Sequence, residues 1–171
     1  MLPGFGGGPD QPVLVQLAAA LRARGVSSIR ASLSRGRVSP GLEREVEEAG
    51  ELAESDPMIE AYVGRSFGGR VLARLALTMF PRALVLLGYP VRSASGVRRV
   101  EDEGVLELVG CPTLIVQGSR DPLGPIRTFR RLARTNERLE LHVLPGATHH
   151  FGRRQAEAVS TAAEWLVDKL S

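Results

Sequence analysis

The chain has 171 residues, 43% of them hydrophobic, which is enough to close one core and predicts a single domain over residues 1–171. Its 22 basic and 19 acidic residues leave a formal charge of +3, too small to argue for nucleic acid as a partner. The lone Cys111 excludes an internal disulfide, and no apolar run is long enough for a membrane span or placed as a signal sequence, so the expectation is a soluble, cytoplasmic protein with no membrane partner.

Taken in chain order, PDQPVLVQLAAALRARG predicts a helix, with Asp10 as its cap, Leu14, Leu17, Ala18 and Leu21 on one face, and Gly25 as its stop. VSSIRA, Val26 to Ala31, predicts a strand. PGLEREVEEAGELAESD predicts a second helix with Leu42, Val46 and Ala49 turned inward. IEAYV, Ile59 to Val63, is a strand, and RVLARLALTMF a helix ended by Pro81. ALVLL, TLIVQ and LELHVL are further strands, the first two nearly all apolar. RTFRRLAR spaces Arg127, Arg130, Arg131 and Arg134 helically; such a stripe suits phosphates, but a solvated helix face is the plainer reading. A final helix from Arg153 brings Ala156, Val159, Ala163, Leu166 and Leu170 to one side, while Cys111 reads as a small core residue.

Strands that are apolar throughout are buried on both faces, and strand–helix alternation implies right-handed crossovers onto a parallel sheet. The fold class is therefore α/β, with a mostly parallel sheet of about six strands between helical layers. Ligands of such sheets lie beyond the carboxyl ends of the strands, so the loops there are where chemistry is sought.

After IEAYV comes GRSFGGR, Gly64 to Arg70, which fits G-x-S-x-G between a strand and a helix. The two glycines relieve a tight turn that raises Ser66 at a helix N-terminus, whose positive end favours a developing anion. The alternative is a serine cap in an ordinary glycine turn. A serine hydroxyl needs a base. Asp121 stands at the lip of PTLIVQGSRDP, and His149 and His150 lie in LPGATHHFG after the last strand, giving the order Ser, Asp, His expected of an α/β hydrolase. The backbone N–H groups of Phe67 and Phe5, the latter in LPGFGGGP, are the candidate oxyanion donors. That glycine loop is not a dinucleotide fingerprint, because Pro9 occupies the third glycine position and IRAS lacks the ribose-binding acid.

GRSFGGR, LLGYP, PTLIVQGSRDP and GATHHF, in this order, resemble the small lidless α/β hydrolases near the dienelactone hydrolases. More narrowly, they resemble a group of compact bacterial hydrolases whose eukaryotic relatives include a subunit of a histone acetyltransferase complex. The resemblance runs from Leu2 to the last helix. It implies an α/β-hydrolase fold without a cap domain, and aligning GATHHF on the family loop assigns His149 to the triad and His150 to a polar slot beside Phe151. Pro3-Gly4 stands where the group has His-Gly, Thr148 where an acid is common, and Ser66 where true dienelactone hydrolases have cysteine.

The resulting expectation is a serine hydrolase of esterase type acting on a small acyl substrate, with Ser66 as nucleophile, His149 as base and Asp121 orienting it. No cofactor or metal is implied. A non-catalytic binding or scaffold module is the alternative. Only about twenty residues separate LLGYP from CPTLIV, so the site should be open, with Phe5, Arg65, Tyr89 and Phe151 as rim candidates that are equally packing candidates. In the resembling family a full strand precedes the glycine loop, whereas only Met1 and Leu2 precede Pro3. The expectation is that the N-terminal strands are missing or truncated, leaving exposed edges through which the chain forms a homodimer or aggregates.

Overall fold

The computed structural model describes residues 1–34 and 36–171. Its centre is a parallel sheet in the order β1 (Ala61–Arg65), β2 (Ala83–Leu87), β3 (Thr113–Gly118) and β4 (Leu139–Leu144). Helices α3 (Phe67–Met79), α4 (Val100–Leu108) and α5 (Ile126–Thr135) make the three crossovers. Helices α1 (Pro12–Arg22) and α2 (Glu43–Glu54) precede the sheet, and α6 (Gln155–Leu170) closes the chain. Among the described residues no cap domain is inserted; residues 88–112 hold a short loop and α4.

The period of two along the strands divides the core. Val63, Val85, Leu87, Leu114 and Val116 pack toward Leu14 and Leu17 of α1 and Ala158 and Ala162 of α6. Tyr62, Leu84, Leu86 and Ile115 pack on the other face with Ala49 of α2, Val71 and Leu75 of α3 and Phe129 of α5. Leu84, Leu86 and Leu87 have no exposed surface at all, and burying each is worth about 2 kcal/mol.

The sheet has four strands where about six were expected, and residues 26–31 show why. The segment runs beside Met1 and donates from Ala31 N–H to Met1 O, while the Met1 amine donates to Ile29 O. Met1–Leu2 in turn lies along β1, with Leu2 N–H on Val63 O and Arg65 N–H on Leu2 O. The two outer positions are occupied, but a two-residue neighbour cannot supply a ladder, so neither becomes a strand.

Three smaller expectations also change. Asp10 does not cap α1: Pro12 opens the helix with its φ already set, and Gln11 flanks it, accepting from Gly4 N–H at 3.0 Å instead. Ala156 of α6 faces solvent, and the apolar face is carried by Ala158, Val159, Ala162, Ala163 and Leu166. Helix α4 was not anticipated. It holds Gly104 and turns acids inward, Asp102 and Glu103 being buried against arginines, so it lacks an apolar stripe. The arginine stripe of α5 is the solvated face expected of it, with Arg131 engaging Glu103 and Glu107. Among the described residues no helix is long and apolar enough to cross a membrane.

Candidate active site

Parallel strands put all their carboxyl ends on one side, and there the chain brings Ser66, Asp121 and His149 together. Ser66 stands between β1 and α3 with φ 49° and ψ −108°, a conformation that costs a non-glycine residue of order 1–3 kcal/mol. The flanking glycines make the turn possible. A Cβ on Gly64 would lie 2.3 Å from Gly69 Cα, and one on Gly68 would lie 2.5 Å from Leu2 O. The second contact locks the early glycine loop against the elbow, where Gly68 N–H donates to Pro3 O at 3.0 Å.

Asp121 follows β3 and His149 follows β4, and their loops are tied together. Arg120 N–H donates to Ala147 O at 2.8 Å, and Gly146 N–H donates to Ser119 Oγ at 2.8 Å. Gly118, ending β3, is crossed so closely that a Cβ there would lie 2.4 Å from Ala147 O.

His149 Nδ1 is 2.7 Å from Asp121 Oδ2, and its Nε2 is 2.9 Å from Ser66 Oγ. An ionised carboxylate only accepts, so Nδ1 carries the proton and Nε2 offers its lone pair to the Ser66 hydroxyl. The Asp121 side chain is fully buried and fully engaged: Oδ2 also accepts from Gln117 Nε2 at 2.7 Å, and Oδ1 accepts from Leu123 N–H at 2.9 Å. The carboxylate is thereby fixed from three directions.

His150 points elsewhere. Its ring meets the His149 ring edge-on at 5.5 Å and lines the cavity without reaching Ser66. Among the described residues no group of three His, Cys, Asp or Glu side chains is arranged to hold a metal ion.

Neither Phe67 N–H nor Phe5 N–H donates to a protein acceptor among the described residues. Their rings meet edge-on at 5.8 Å; Phe5 is 76% exposed and forms part of the cavity wall.

The other rim candidates divide. Arg65 borders the cavity yet is only 4% exposed. Tyr89 is no rim residue: its ring is fully buried under α4, where the hydroxyl donates to Asp102 O at 3.2 Å, and burial pushes its pKa well above the usual phenol range. Phe151 is likewise buried, because its ring supports the Arg65 guanidinium 5.2 Å above its centroid.

A model of the family described as an alpha/beta hydrolase domain matches residues 3–168. The chain belongs to this family. Among solved structures, Est1E from Butyrivibrio proteoclasticus superposes with a TM-score of 0.79 at 18% identity, covering 99% of this chain and 86% of its own. A dienelactone hydrolase from Anabaena variabilis gives 0.74 at 21% identity, covering 98% of this chain and 84% of its own. A serine hydrolase without a lid from Xanthomonas campestris gives 0.70 at 20%, covering 99% and 80%. No curated protein matches the sequence.

In this alpha/beta hydrolase domain one residue escaped the sequence reading and another has contacts it did not foresee. Gln117 looked like the polar end of a strand, and only its position four residues before Asp121 hinted at a partner. Arg65 was read as a rim residue, but Nη1 donates to Leu87 O at 3.1 Å and lies 3.3 Å from His149 Nε2, while Nη2 donates to His149 O. Burial lowers its pKa to about 10, with Asp121 opposing, so it stays a cation at neutral pH. No sequence signal marks it, because the middle position of the elbow motif accepts any residue.

Proposed function

We propose that the domain is a serine hydrolase of the carboxylic-ester type, cleaving small acyl esters through a covalent acyl-enzyme. The observation that carries this reading is the continuous hydrogen-bonded line from Ser66 Oγ through His149 to Asp121, at 2.9 and 2.7 Å, beside two unengaged backbone N–H groups. Ser66 Oγ attacks the ester carbonyl as its proton passes to His149 Nε2, and the oxyanion is held by Phe67 N–H at the start of α3 and by Phe5 N–H of the early glycine loop. Collapse returns the proton to the departing alkoxide, leaving an acyl group on Ser66. Water activated by His149 then releases the acid and restores the hydroxyl. Asp121 keeps the imidazole in the required tautomer and offsets its charge, and no cofactor takes part. Arg65 holds the histidine loop through His149 O.

The absence of a cap and the open cavity favour short esters over long lipid chains. The esterase and dienelactone hydrolase named among the structural neighbours agree with this class. A fluorophosphonate probe followed by peptide mapping tests it: labelling confined to the peptide bearing Ser66, and absent from Ser66→Ala, is the expected result. A folded protein that stays unlabelled near neutral pH and hydrolyses no short ester would point to a binding module on the same fold.

A further inference from the structure

The cavity over Ser66 has a volume of about 560 Å³, and its wall is chemically one-sided. Four arginines line it, Arg65, Arg70, Arg92 and Arg99, and among the described residues no aspartate or glutamate does. Arg65 faces the His149–Asp121 pair. The other three belong to a wall made by the loop after β2 and by α3.

Charge balance in that wall does not close. Asp102, 1% exposed, is the acid that Arg70 and Arg99 approach, and both its oxygens are taken: Oδ2 by Arg70 Nε at 2.9 Å and Oδ1 by Arg74 Nη1 at 2.7 Å. Arg99 Nε is left at 4.0 Å, beyond a hydrogen bond, and has no other partner among the described residues. Three guanidinium groups thus share one carboxylate. Burial and the neighbouring Arg70 depress the pKa of Arg99, as expected for a surplus cation. Arg92 has no side-chain ion pair or hydrogen bond to any described residue. On the far side of the loop lies a second hollow, which Arg92 also borders; there Arg98 and Arg131 both pair with the buried Glu103. The loop is held in place by Val91 and Arg92 N–H groups on Leu123 O, both at 2.9 Å, and by Arg99 N–H on Val91 O at 2.8 Å. Arg92 and Arg99 therefore border the cavity from an anchored backbone.

We propose that Arg92 and Arg99 form an anion subsite, so that the ester turned over at Ser66 carries a carboxylate or a phosphate on the part lying against the 91–99 loop. Guanidinium groups match the planar, paired oxygens of such anions, and in a partly dehydrated wall they bind an anion more strongly than water does. The apolar part of the lining, Phe5, Val38, Pro40 and Leu42, accommodates the aliphatic portion. The proposal rests on the hydrolase reading for the word ester, but not for the subsite itself.

Two measurements separate them. The first compares monomethyl glutarate with dimethyl glutarate, which differ by one negative charge at nearly constant shape. The anionic ester should be preferred by about tenfold or more in kcat/KM, mainly through KM, and Arg92→Gln or Arg99→Gln should cut that ratio about tenfold. The second is calorimetric binding of glutarate, and separately of inorganic phosphate, to Ser66→Ala protein, which cannot turn over. Saturable binding of either anion that weakens in Arg92→Gln and fades with added salt supports the subsite even if no ester is hydrolysed, and the anion that binds names the group. An ester ratio near one, or a ratio that the substitutions leave unchanged, overturns the proposal. So does the absence of saturable binding of both anions in the calorimeter.

Discussion

The two walls of the cavity obey opposite rules. On the histidine side, both Asp121 oxygens, both His149 nitrogens and the Arg65 guanidinium have hydrogen-bonding neighbours. On the loop side, Arg92 and the Nε of Arg99 have none among the described residues. Groups that must hold a reactive geometry are satisfied by the protein itself, since a misplacement of about 1 Å costs orders of magnitude in rate. Groups that meet a ligand retain unspent hydrogen-bonding capacity, which only a ligand or water fills.

Breaking the satisfied wall should have the largest effects. Ser66→Ala or His149→Ala should lower kcat on a short p-nitrophenyl ester by about 10⁴-fold or more with the far-ultraviolet spectrum unchanged. Asp121→Asn keeps the shape but loses the charge and the tautomer it enforces, and should cost about 10³-fold. Gln117→Leu removes one of the two donors on Asp121 Oδ2 without touching His149; a loss of about tenfold in kcat with KM steady would mark it as a positioning residue. His150→Ala should cost less than about tenfold, near 1.4 kcal/mol in barrier, because its ring only borders the cavity. Equal losses from the two histidines, in folded protein, would break the comparison.

The elbow sharpens it from the side of stability. Gly68→Ala should lower the melting temperature, with a cost of about 1–3 kcal/mol, because the new methyl group meets Leu2 O and Pro3 O. Gly104→Ala in α4, where nothing lies within 4 Å, should leave it equal or slightly raised. A Gly68→Ala protein as stable as the parent would mean that the early loop is not locked against Ser66.

What the sequence determined by itself was whatever depends on local pattern. Apolar runs in ALVLL and TLIVQ reported burial on both faces, G-x-S-x-G between a strand and a helix reported the elbow, and the order Ser66, Asp121, His149 reported which loops would meet. What the tertiary structure decided was everything set by partners distant in the chain. Residues 26–31 have strand chemistry, but among the described residues their pairing is with Met1, too short a contact for a ladder. Tyr89 and Phe151 have the right place in sequence for a rim, yet burying an aromatic ring under α4 or beneath Arg65 outweighed exposing it. Helix α4 hides its acids against arginines from α3 and α5, so its buried face carries charge where the periodicity rule seeks apolar residues. Arg65, Arg92 and Arg99 are indistinguishable in sequence from the many other arginines. Only the packed fold gives one of them a histidine, leaves Arg99 a third share of Asp102 and gives Arg92 no ion pair among the described residues, because charge balance is a property of neighbours in space.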